Sequence, residues 1–485
     1  MKREIRIEEE ALHCLLCIDA PCSKACGSGD PARAIRAIRF GNKKFASQWV
    51  VDCSDADLEA AESACIHYDR PIRIKEIVRH LEPALEDNYS DKSLEIDFCG
   101  IHCENPFFLA SSAICTNYDM VARAFEAGWG GVFYKTICMQ DINEVSPRFD
   151  AIGDQQNGDF FGFRNMEQLS ENPVRVDFDI LKRLKKDYPS KIVIASIMGQ
   201  TERQWIVLAQ MAEKANVDAI ELNFSCPQMR LAGMGSDVGQ NPELVMFITS
   251  YVKETVSIPV IPKMTPNITH IAHPAMSAYF AGANAISAIN TIKSVTMSER
   301  GAVSSKKTIS GYSGRAIKPL AQRYILEMTA NPLMKNVEFS GIGGIETWRD
   351  ALEYIQLGCQ NVQICTSVMQ YGYRIIDDLI LGMKAYMAER GVDRIDAFLG
   401  EEKGNFVKPS DLDRKTIVYP KFMRDKCIGC GRCYTSCMDG GHQALTFGDD
   451  RKPRINGKKC VGCHLCRLVC PTGAIDVAKR VEKIN

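Results

Sequence analysis

Short apolar runs alternate with amphipathic stretches through the middle of the chain. Continuous apolar runs are typical of strands buried on both faces, and apolar positions three and four residues apart are typical of helices. The predicted strands are residues 106–112, 130–136, 192–198, 219–225, 260–264, 285–291, 338–344 and 362–367. The predicted helices include residues 117–127, 201–215, 241–256, 346–357 and 369–389. This alternation predicts a parallel (β/α)8 barrel, with a doubly wound sheet as the alternative.

The pattern changes on both sides of this region. Helical periodicity covers residues 31–47 and 71–83 in an N-terminal segment that contains several cysteines. A charged connector follows the barrel and leads into a second cysteine-rich segment. We therefore predict an α/β protein in four parts. They are a helical, cysteine-containing N-terminal module (1–93), the barrel (94–396), a linker (397–420) and a cysteine-rich C-terminal α+β domain (421–485).

Composition and charge narrow the class of protein. With 25% charged residues and a net charge of -1, the chain has no electrostatic footprint for nucleic acid or an anionic membrane. Apolar runs stay well short of the roughly 20 residues that span a bilayer. The N-terminal residues MKREIRIEEE lack a signal-peptide core. We expect a cytoplasmic protein that binds neither nucleic acid nor membranes.

Polar side chains stand where the predicted strands end, which is the edge where barrels of this type carry their active sites. They include Ser111, Ser112, Lys135, Thr136, Asn223, Ser225, Cys226, Lys263, Asn290, Thr291, Cys365 and Thr366. A lone cysteine at a strand end is more often a buried filler than a catalyst, so Cys226 gains weight from its polar neighbours. Residues 340–344 (SGIGG) offer bare backbone N–H groups for a phosphate, with tight packing as the alternative explanation.

The positions of the 21 cysteines indicate metal. Eight of them form two runs of Cys-x2-Cys-x2-Cys-x3-Cys between residues 427 and 470. This duplication is typical of two-cluster ferredoxins, in which the fourth cysteine of each run ligates the other cluster. Met438 replaces the proline that usually follows the first run. The pattern predicts one 4Fe-4S cluster on Cys427, Cys430, Cys433 and Cys470, and another on Cys437, Cys460, Cys463 and Cys466.

A second group of cysteines opens the chain. Its members are Cys14, Cys17, Cys22 and Cys26, followed at a distance by Cys53 and Cys65. A disulfide scaffold is typical of short secreted chains, which this sequence does not resemble. The spacing alone fits either an iron-sulfur cluster or a four-cysteine zinc site.

The barrel resembles the dihydroorotate dehydrogenase superfamily, and within it the flavin-containing half of the dihydropyrimidine dehydrogenases. The matching stretches include AFEAGWGG (124–131), ELNFSCP (221–227), PKMTPN (262–267), AINT (288–291), ISGYSG (309–314) and SGIGGIETW (340–348). The ferredoxin-like C-terminal segment matches in the same order. The chain as a whole is similar to the bacterial FMN and iron-sulfur catalytic subunits of that enzyme family.

This resemblance implies FMN at the barrel mouth with a pyrimidine beside it. The implied FMN contacts are Ala110, Ser111, Lys135, Thr136, Lys263, Ser313, Gly314, Gly343, Gly344, Cys365 and Thr366. The implied pyrimidine contacts are Asn165, Glu167, Asn223, Ser225, Asn290 and Thr291. The implied reaction is the reversible reduction of uracil or thymine. In it the flavin gives hydride to carbon 6 and Cys226 gives a proton to carbon 5, a role that suits a thiol protonated at neutral pH.

The N-terminal segment resembles the iron-sulfur module of the large dihydropyrimidine dehydrogenases and of the glutamate synthase small subunit. This resemblance implies a 4Fe-4S cluster on Cys14, Cys17, Cys22 and Cys65. The family's second cluster would need Cys26, Cys53, one more cysteine and a polar helical residue. This chain lacks the extra cysteine and has Val78 at the helical position, so the second cluster is left open.

The source of electrons and the substrate each leave alternatives. Because no Rossmann fingerprint follows a strand, the resemblance implies either an FAD- and NAD(P)-binding partner subunit or a ferredoxin, in a homodimer or heterotetramer. The rival functions are a dihydroorotate dehydrogenase, a non-catalytic electron-transfer subunit and a flavoenzyme for another ring or enone. Residues 162–168 (GFRNMEQ) differ from the Asn-x-x-Gly-Leu type of loop in dihydroorotate dehydrogenases, which favours a neutral pyrimidine.

Overall fold

The structure is a computed structural model that describes residues 6–84, 89–154, 159–227, 229, 233–295 and 308–483. The chain divides into two compact units, Met1–Lys403 and Gly404–Asn485, and the boundary falls inside the predicted linker. Among the described residues, no helix combines the length and the apolar character needed to cross a membrane.

The first unit begins with a small helical module. Its helices are α1 (Ile7–Leu12), α2 (Pro21–Ala25), α3 (Pro31–Arg39), α4 (Asp55–Ser63) and α5 (Ile74–Arg79), with a 3-10 helix at Lys43–Trp49. The helix predicted over 31–47 is wrong in its length, because α3 ends before Gly41 and the tighter 3-10 turn follows. The helix predicted over 71–83 is likewise limited to α5.

Fourteen strands follow in the described part of the first unit. They are β1 (Ile96–Phe98), β2 (Ile101–Cys103), β3 (Phe107–Leu109), β4 (Gly131–Ile137), β5 (Phe149–Asp154), β6 (Asp159–Asn165), β7 (Ile192–Ile197), β8 (Ala219–Asn223), β9 (Val260–Lys263), β10 (Ala285–Ala288), β11 (Ile292–Ser294), β12 (Ser310–Ser313), β13 (Glu338–Ile342) and β14 (Asn361–Ile364). Eight of them close into a parallel barrel in the order β3-β4-β7-β8-β9-β10-β13-β14. The predicted (β/α)8 barrel is therefore confirmed, and the doubly wound alternative is wrong.

Helices surround this barrel and cover its strands on the outside. They are α6 (Tyr118–Ala127), α7 (Val174–Asp187), α8 (Glu202–Lys214), α9 (Ser236–Gly239), α10 (Pro242–Thr255), α11 (Ala272–Phe280), α12 (Lys318–Thr329), α13 (Trp348–Gln356), α14 (Thr366–Tyr371) and α15 (Ile375–Arg390). The single helix predicted over 369–389 is two helices, because Gly372 adopts a φ of +81° between α14 and α15. Every residue of β7 and β8 is buried, as expected for strands covered on both faces.

Two smaller sheets in the described part of the first unit lie outside the barrel. The hairpin β1-β2 precedes it, and an antiparallel sheet of order β11-β12-β6-β5 is built from the segments after β4 and β10. In that sheet Gly311 pairs with Asn165, so two distant segments meet beyond the strand ends. Short 3-10 helices occupy Ala113–Cys115, Arg315–Ile317, Pro332–Met334, Ile395–Phe398, Lys403–Asn405 and Pro409–Asp411.

The N-terminal module packs on the barrel through polar contacts with α15. Arg36 on α3 forms an ion pair with Asp378, with 2.6 Å between Nη2 and Oδ2. Asn42 donates to the backbone carbonyl of Asp378 at 2.9 Å. Arg374, just before α15, donates to the carbonyl of Leu16 at 2.7 Å. Asp378 is only 7% exposed, so these are buried polar contacts, which are stronger than contacts at the surface. They fix the module against the barrel.

The second unit has an internal near-duplication. Its elements are β15 (Thr416–Phe422), α16 (Arg432–Gly440), β16 (Leu445–Phe447), β17 (Pro453–Ile455), α17 (Leu465–Leu468) and β18 (Ile475–Glu482). One half consists of β15, α16 and β16, and the other of β17, α17 and β18. Because β15 pairs antiparallel with β18, and β16 with β17, each half contributes one strand to each pair. The α+β character predicted for the C-terminal domain is confirmed.

Candidate active site

One large cavity opens at the C-terminal ends of the barrel strands and encloses about 1030 Å³ including its mouth. The strand ends, the antiparallel sheet and the start of α14 together form its wall. It is lined by Ala110, Ser111, Lys135, Thr136, Asn165, Glu167, Asn223, Cys226, Lys263, Asn290, Thr291, Ser313, Gly314, Gly343, Gly344, Cys365 and Thr366, among others. The structure thus brings together every predicted site residue of the barrel except Ser225, which lies just behind this lining; their individual roles remain predictions.

Glu221, a fully buried carboxylate, lies beneath the cavity at the centre of β8. Its Oε1 accepts a hydrogen bond from Ser196 at 2.9 Å, and its Oε2 accepts one from Ser287 at 3.0 Å. Lys263 Nζ lies 3.7 Å from Oε1. Hydroxyls on two further strands and one cation therefore satisfy a charge that would otherwise be very costly to bury.

A chain of hydrogen bonds runs from this carboxylate to the predicted substrate amides. Thr136 lies within 2.9 Å of Ser196 and accepts from the amide of Asn223 at 2.9 Å. The hydroxyl of Ser225 donates to Asn223 Oδ1 at 2.8 Å and accepts from Asn290 Nδ2 at 2.9 Å. These bonds fix which way each amide faces, so the two asparagines present defined donors and acceptors.

Each lysine and arginine among the described residues of the cavity lining lies within ion-pair distance of a carboxylate. The pairs are Lys135 with Glu167 at 3.4 Å, Lys263 with Glu221 at 3.7 Å and Arg315 with Glu346 at 3.7 Å. Arg148 also lies 3.4 Å from Glu167. The positive charges of the lining are therefore balanced before any ligand enters.

Cys226 is 5% exposed and sits where the chain leaves β8. Its carbonyl accepts the N–H of Ser236 at 2.9 Å, which ties the start of α9 to the strand end. Gly235 makes this approach possible: its φ is +58°, and a Cβ there would lie 2.4 Å from the carbonyl oxygen of Cys226. The following loop thus fixes the backbone of Cys226 at the edge of the cavity.

The opposite end of the cavity has the features of a site for a polar cofactor. Ser313 and Thr366 hydroxyls lie 3.0 Å apart, next to the backbone of Gly343 and Gly344. Gln363 lines the same region, and its buried Oε1 accepts no hydrogen bond from any described residue. An unsatisfied buried acceptor is costly, so a donor on a bound group would stabilise this arrangement.

Comparisons with known proteins agree with this geometry. Residues 93–387 match the family model described as dihydroorotate dehydrogenase. The chain belongs to the dihydroorotate dehydrogenase family. It is accordingly an oxidoreductase. Residues 421–477 match a second family model, described as a 4Fe-4S dicluster domain.

The curated relatives of this chain include dihydropyrimidine dehydrogenases and a dihydroorotate dehydrogenase. The NAD-dependent dihydropyrimidine dehydrogenase subunit PreA of Escherichia coli is 49% identical over 395 residues, which is 80% of this chain and 96% of the relative. The chloroplastic dihydropyrimidine dehydrogenase (NADP(+)) of Arabidopsis thaliana is 35% identical over 67% of this chain and 80% of its own length. The catalytic subunit of dihydroorotate dehydrogenase B (NAD(+)) of Pyrococcus abyssi is 33% identical over 63% and 98%. The two family models leave residues 1–92 uncovered.

In the second unit of the chain, cysteines line two further cavities. Cys427, Cys430, Cys433 and Cys470 line one of about 460 Å³, and Cys437, Cys460, Cys463 and Cys466 line one of about 350 Å³. This grouping coincides with the exchange of fourth cysteines in the predicted ligand sets. The Sγ atoms of Cys437 and Cys470 each accept a backbone N–H at 3.3 Å, the type of bond that stabilises cluster thiolates.

The N-terminal module contains a third cysteine-lined cavity, of about 400 Å³. Its cysteines are Cys14, Cys17, Cys22 and Cys65, and Cys65 Sγ accepts the N–H of Ile72 at 3.4 Å. Burial raises the pKa of Cys14 to about 11, so this thiol is protonated at neutral pH unless a metal binds it. Cys26 and Cys53 do not line this cavity.

Several residues of the site escaped prediction from the sequence. The role of Glu221 went unrecognised, although a charge inside an apolar strand is a detectable signal of a buried network. Gln363 gave the same signal within β14. Phe149 and Phe163, whose rings lie 5.2 Å apart in the wall, lie on strands that the sequence pattern did not identify.

Proposed function

We propose that this chain catalyses the reversible reduction of uracil or thymine to the 5,6-dihydropyrimidine, with FMN as its bound redox group. The oriented amides of Asn223 and Asn290 carry this choice of substrate. A neutral pyrimidine needs only donors and acceptors, which Asn223 and Asn290 supply. The dihydropyrimidine dehydrogenases among the relatives support the same choice.

The residues present fit FMN at the other end of the cavity. The backbone of Gly343 and Gly344 would hold its phosphate, and Lys135 and Lys263 would stabilise negative charge on the reduced ring. When bound, FMN supplies hydride exchange with carbon 6 of the pyrimidine. Glu221 holds Lys263 in place beneath the cavity and so maintains the position of that charge.

Asn223 and Asn290 orient the pyrimidine. Each amide nitrogen has two N–H groups and uses one within the protein, for Thr136 and for Ser225 respectively. The second N–H of each remains for a carbonyl oxygen of the substrate. Cys226, at the cavity edge, then donates a proton to carbon 5. A thiol is protonated at neutral pH, but its pKa lies close enough to neutral pH for it to give up the proton readily. A serine hydroxyl holds its proton far more tightly and would be a poorer acid here.

Electrons reach this subunit from an FAD- and NAD(P)-binding partner, with a ferredoxin as the alternative donor. The Escherichia coli relative is described as a subunit of an NAD-dependent enzyme, which supports the first choice. The three cysteine-lined cavities fit three 4Fe-4S clusters, whose chemistry when bound is one-electron transfer. Reduction of the isolated chain by reduced ferredoxin but not by NADH or NADPH is the expected behaviour without a partner. Direct reduction by a nicotinamide would contradict this assignment.

The test of the reaction uses anaerobically purified protein with its flavin reduced. It is mixed with uracil, thymine or orotate while the flavin absorbance is followed. We expect reoxidation by uracil or thymine, and a rate about 10²- to 10⁴-fold lower in Cys226→Ala, the usual contribution of a general acid. Cys138→Ala is the matched control: this thiol is equally buried, bonds the Gln140 carbonyl and does not line the cavity, so the rate should be unchanged.

Two outcomes would contradict the proposal in different ways. Reoxidation by orotate in preference to uracil would move the chain to the dihydroorotate branch of its family. Reoxidation by none of the three, in protein with a full complement of flavin, would remove the pyrimidine assignment and leave an oxidoreductase of another substrate.

A further inference from the structure

Two of the six cysteines in the N-terminal module have no place in its cysteine-lined cavity. Cys26 directly follows α2, and Cys53 immediately precedes the capping residue of α4. Their Sγ atoms lie 3.3 Å apart, although 27 residues separate them along the chain. The other four cysteines of the module are those that line the cavity, so this pair is a separate sulfur site.

The surroundings of this pair do not fit a second iron-sulfur cluster. The sequence before residue 94 holds only six cysteines, so no third or fourth thiolate is left for such a cluster. The space beside Cys53 is filled by the chain itself, since a Cβ on Gly29 would lie 2.4 Å from its Sγ. Val78, in the helix where the family's polar ligand is expected, packs its apolar side chain against the module core. Two thiols in contact are the composition of a dithiol rather than of a cluster site.

We propose that Cys26 and Cys53 are a redox-active dithiol that a low-molecular-weight disulfide converts reversibly into an intramolecular disulfide. The sulfurs need to approach by only about 1 Å to reach bonding distance. Cys53 is partly exposed and Cys26 is buried, so Cys53 is the sulfur that an external disulfide meets first.

The external disulfide is the oxidant that accepts the electrons and protons of the two thiols. Cys53 loses its thiol proton, attacks one sulfur of that molecule, forms a mixed disulfide and releases the first small thiol. The Cys26 thiolate then attacks Cys53 Sγ, forms the Cys26–Cys53 bond and releases the second. The two protein thiols lose two electrons and two protons in total, and the external disulfide gains them as two thiols.

The position of the pair gives this chemistry a structural consequence. The bond would close residues 27–52 into a loop, and that loop contains Arg36 and Asn42, the two residues that contact Asp378 on the barrel. The amide of Cys26 also donates to the carbonyl of Cys22 at 3.1 Å, which places the pair directly beside the cysteine-lined cavity. Oxidation would therefore restrict the segment that docks the module on the barrel.

The first test measures the bond directly in the full-length protein. Anaerobically purified protein is equilibrated with glutathione at several ratios of disulfide to thiol, free thiols are alkylated under acid quench, and peptides are analysed by mass spectrometry. We expect a Cys26–Cys53 cross-link whose fraction rises with the disulfide ratio and which dithiothreitol reverses. In Cys53→Ser, Cys26 should be recovered without a cross-link. Absence of the cross-link in wild-type protein at every ratio would overturn the proposal.

The second test measures iron per chain and does not depend on the pyrimidine reaction. Cys26→Ser, Cys53→Ser and the double variant should retain the iron of wild-type protein. Cys65→Ser, which removes a lining cysteine of the neighbouring cavity, is the matched control and should lose about four irons. Loss of about four irons in Cys26→Ser or Cys53→Ser would make these residues cluster ligands and overturn the dithiol assignment. If a variant does not fold, the cross-link measurement on the wild-type chain still decides.

Discussion

The two cysteine-rich regions at the ends of the chain differ in what holds them together. Among the described residues of the C-terminal unit, the buried apolar core has six members, and three of them are the cysteines Cys433, Cys437 and Cys466. In the part of the N-terminal module that the structure describes, the buried core has fifteen residues, mostly alanine, isoleucine, leucine and valine, and its only cysteines are Cys14 and Cys26. We therefore expect similar cysteine spacing to accompany two kinds of stability, one that depends on metal and one that depends on aliphatic packing and contact with the barrel.

Removal of iron should separate the two regions most strongly. When a site exists only in the folded state, the free energy of metal binding is folding free energy, and a small core without its metal does not fold. We expect chelation under reducing conditions to abolish hydrogen-exchange protection in β15 and β18 of the C-terminal unit. Protection in α3 and α4 should persist, because their shared core is mostly aliphatic and α3 is also tied to α15 by the ion pair of Arg36 with Asp378.

The control for this experiment is the barrel strand β7, whose peptides should exchange at the same rate before and after chelation. Equal loss of protection in α3 and in β18 would break the comparison, since both regions would then depend on metal alike.

Sequence patterns predicted the barrel because its strands are buried on both faces and are therefore continuous apolar runs, as in Ile192–Ile197. They did not predict the sheet of β5, β6, β11 and β12, whose short strands pair across nearly 150 residues, as Gly311 does with Asn165. Local periodicity contains no information about such a partner.

In the candidate site, too, some residues could be predicted from the sequence and some contacts could not. Lys135, Asn223, Cys226 and Lys263 were predictable because polar groups at strand ends stand out against apolar strands. The bonds that hold Glu221 were not, since they come from hydroxyls on other strands that are ordinary strand residues in the sequence. The 3.3 Å contact of Cys26 with Cys53 likewise depends on how α2 and α4 pack, which spacing does not reveal.

Replacement of Arg36 by methionine should destabilise the N-terminal module specifically. The variant leaves the buried carboxylate of Asp378 without its cation, and removal of one partner of a buried ion pair costs about 3 kcal/mol.

Burial raises the pKa of Asp378 to about 6 even beside Arg36. A folded-state pKa above the unfolded value means that this group favours folding at low pH and loses that contribution as the pH rises through about 6. The loss in Arg36→Met should therefore be large at pH 8 and smaller at pH 5.

The measurement is the free energy of opening of α3 by hydrogen exchange at both pH values. Lys43→Met is the matched control, because Lys43 pairs with Glu8 on the exposed surface, where an ion pair contributes at most about 1 kcal/mol. A pH-independent effect of Arg36→Met, or an equal effect of Lys43→Met, would show that the ion pair with Asp378 does not anchor the module.

The smallest effect concerns the capping box that starts α4, beside the sulfur pair. Ser54 accepts the N–H of Asp57, while Asp57 accepts from the Ser54 N–H and from Ser28. Loss of such a cap costs about 1 kcal/mol, so Ser54→Ala should lower the free energy of opening of α4 by that amount at pH 7. Hydrogen bonds from Ser54 and then Ser28 lower the pKa of Asp57 to about 2. The part of the cap that needs the Asp57 carboxylate is therefore present above about pH 4 and is lost as the pH falls towards 2.

The control is Ser63→Ala, at the exposed far end of the same helix, which should change the opening free energy by less than about 0.5 kcal/mol. Because iron contributes nothing to this cap, the effect of Ser54→Ala should be the same before and after chelation; a larger effect in iron-free protein would mean that the N-terminal module, like the C-terminal unit, relies on its metal.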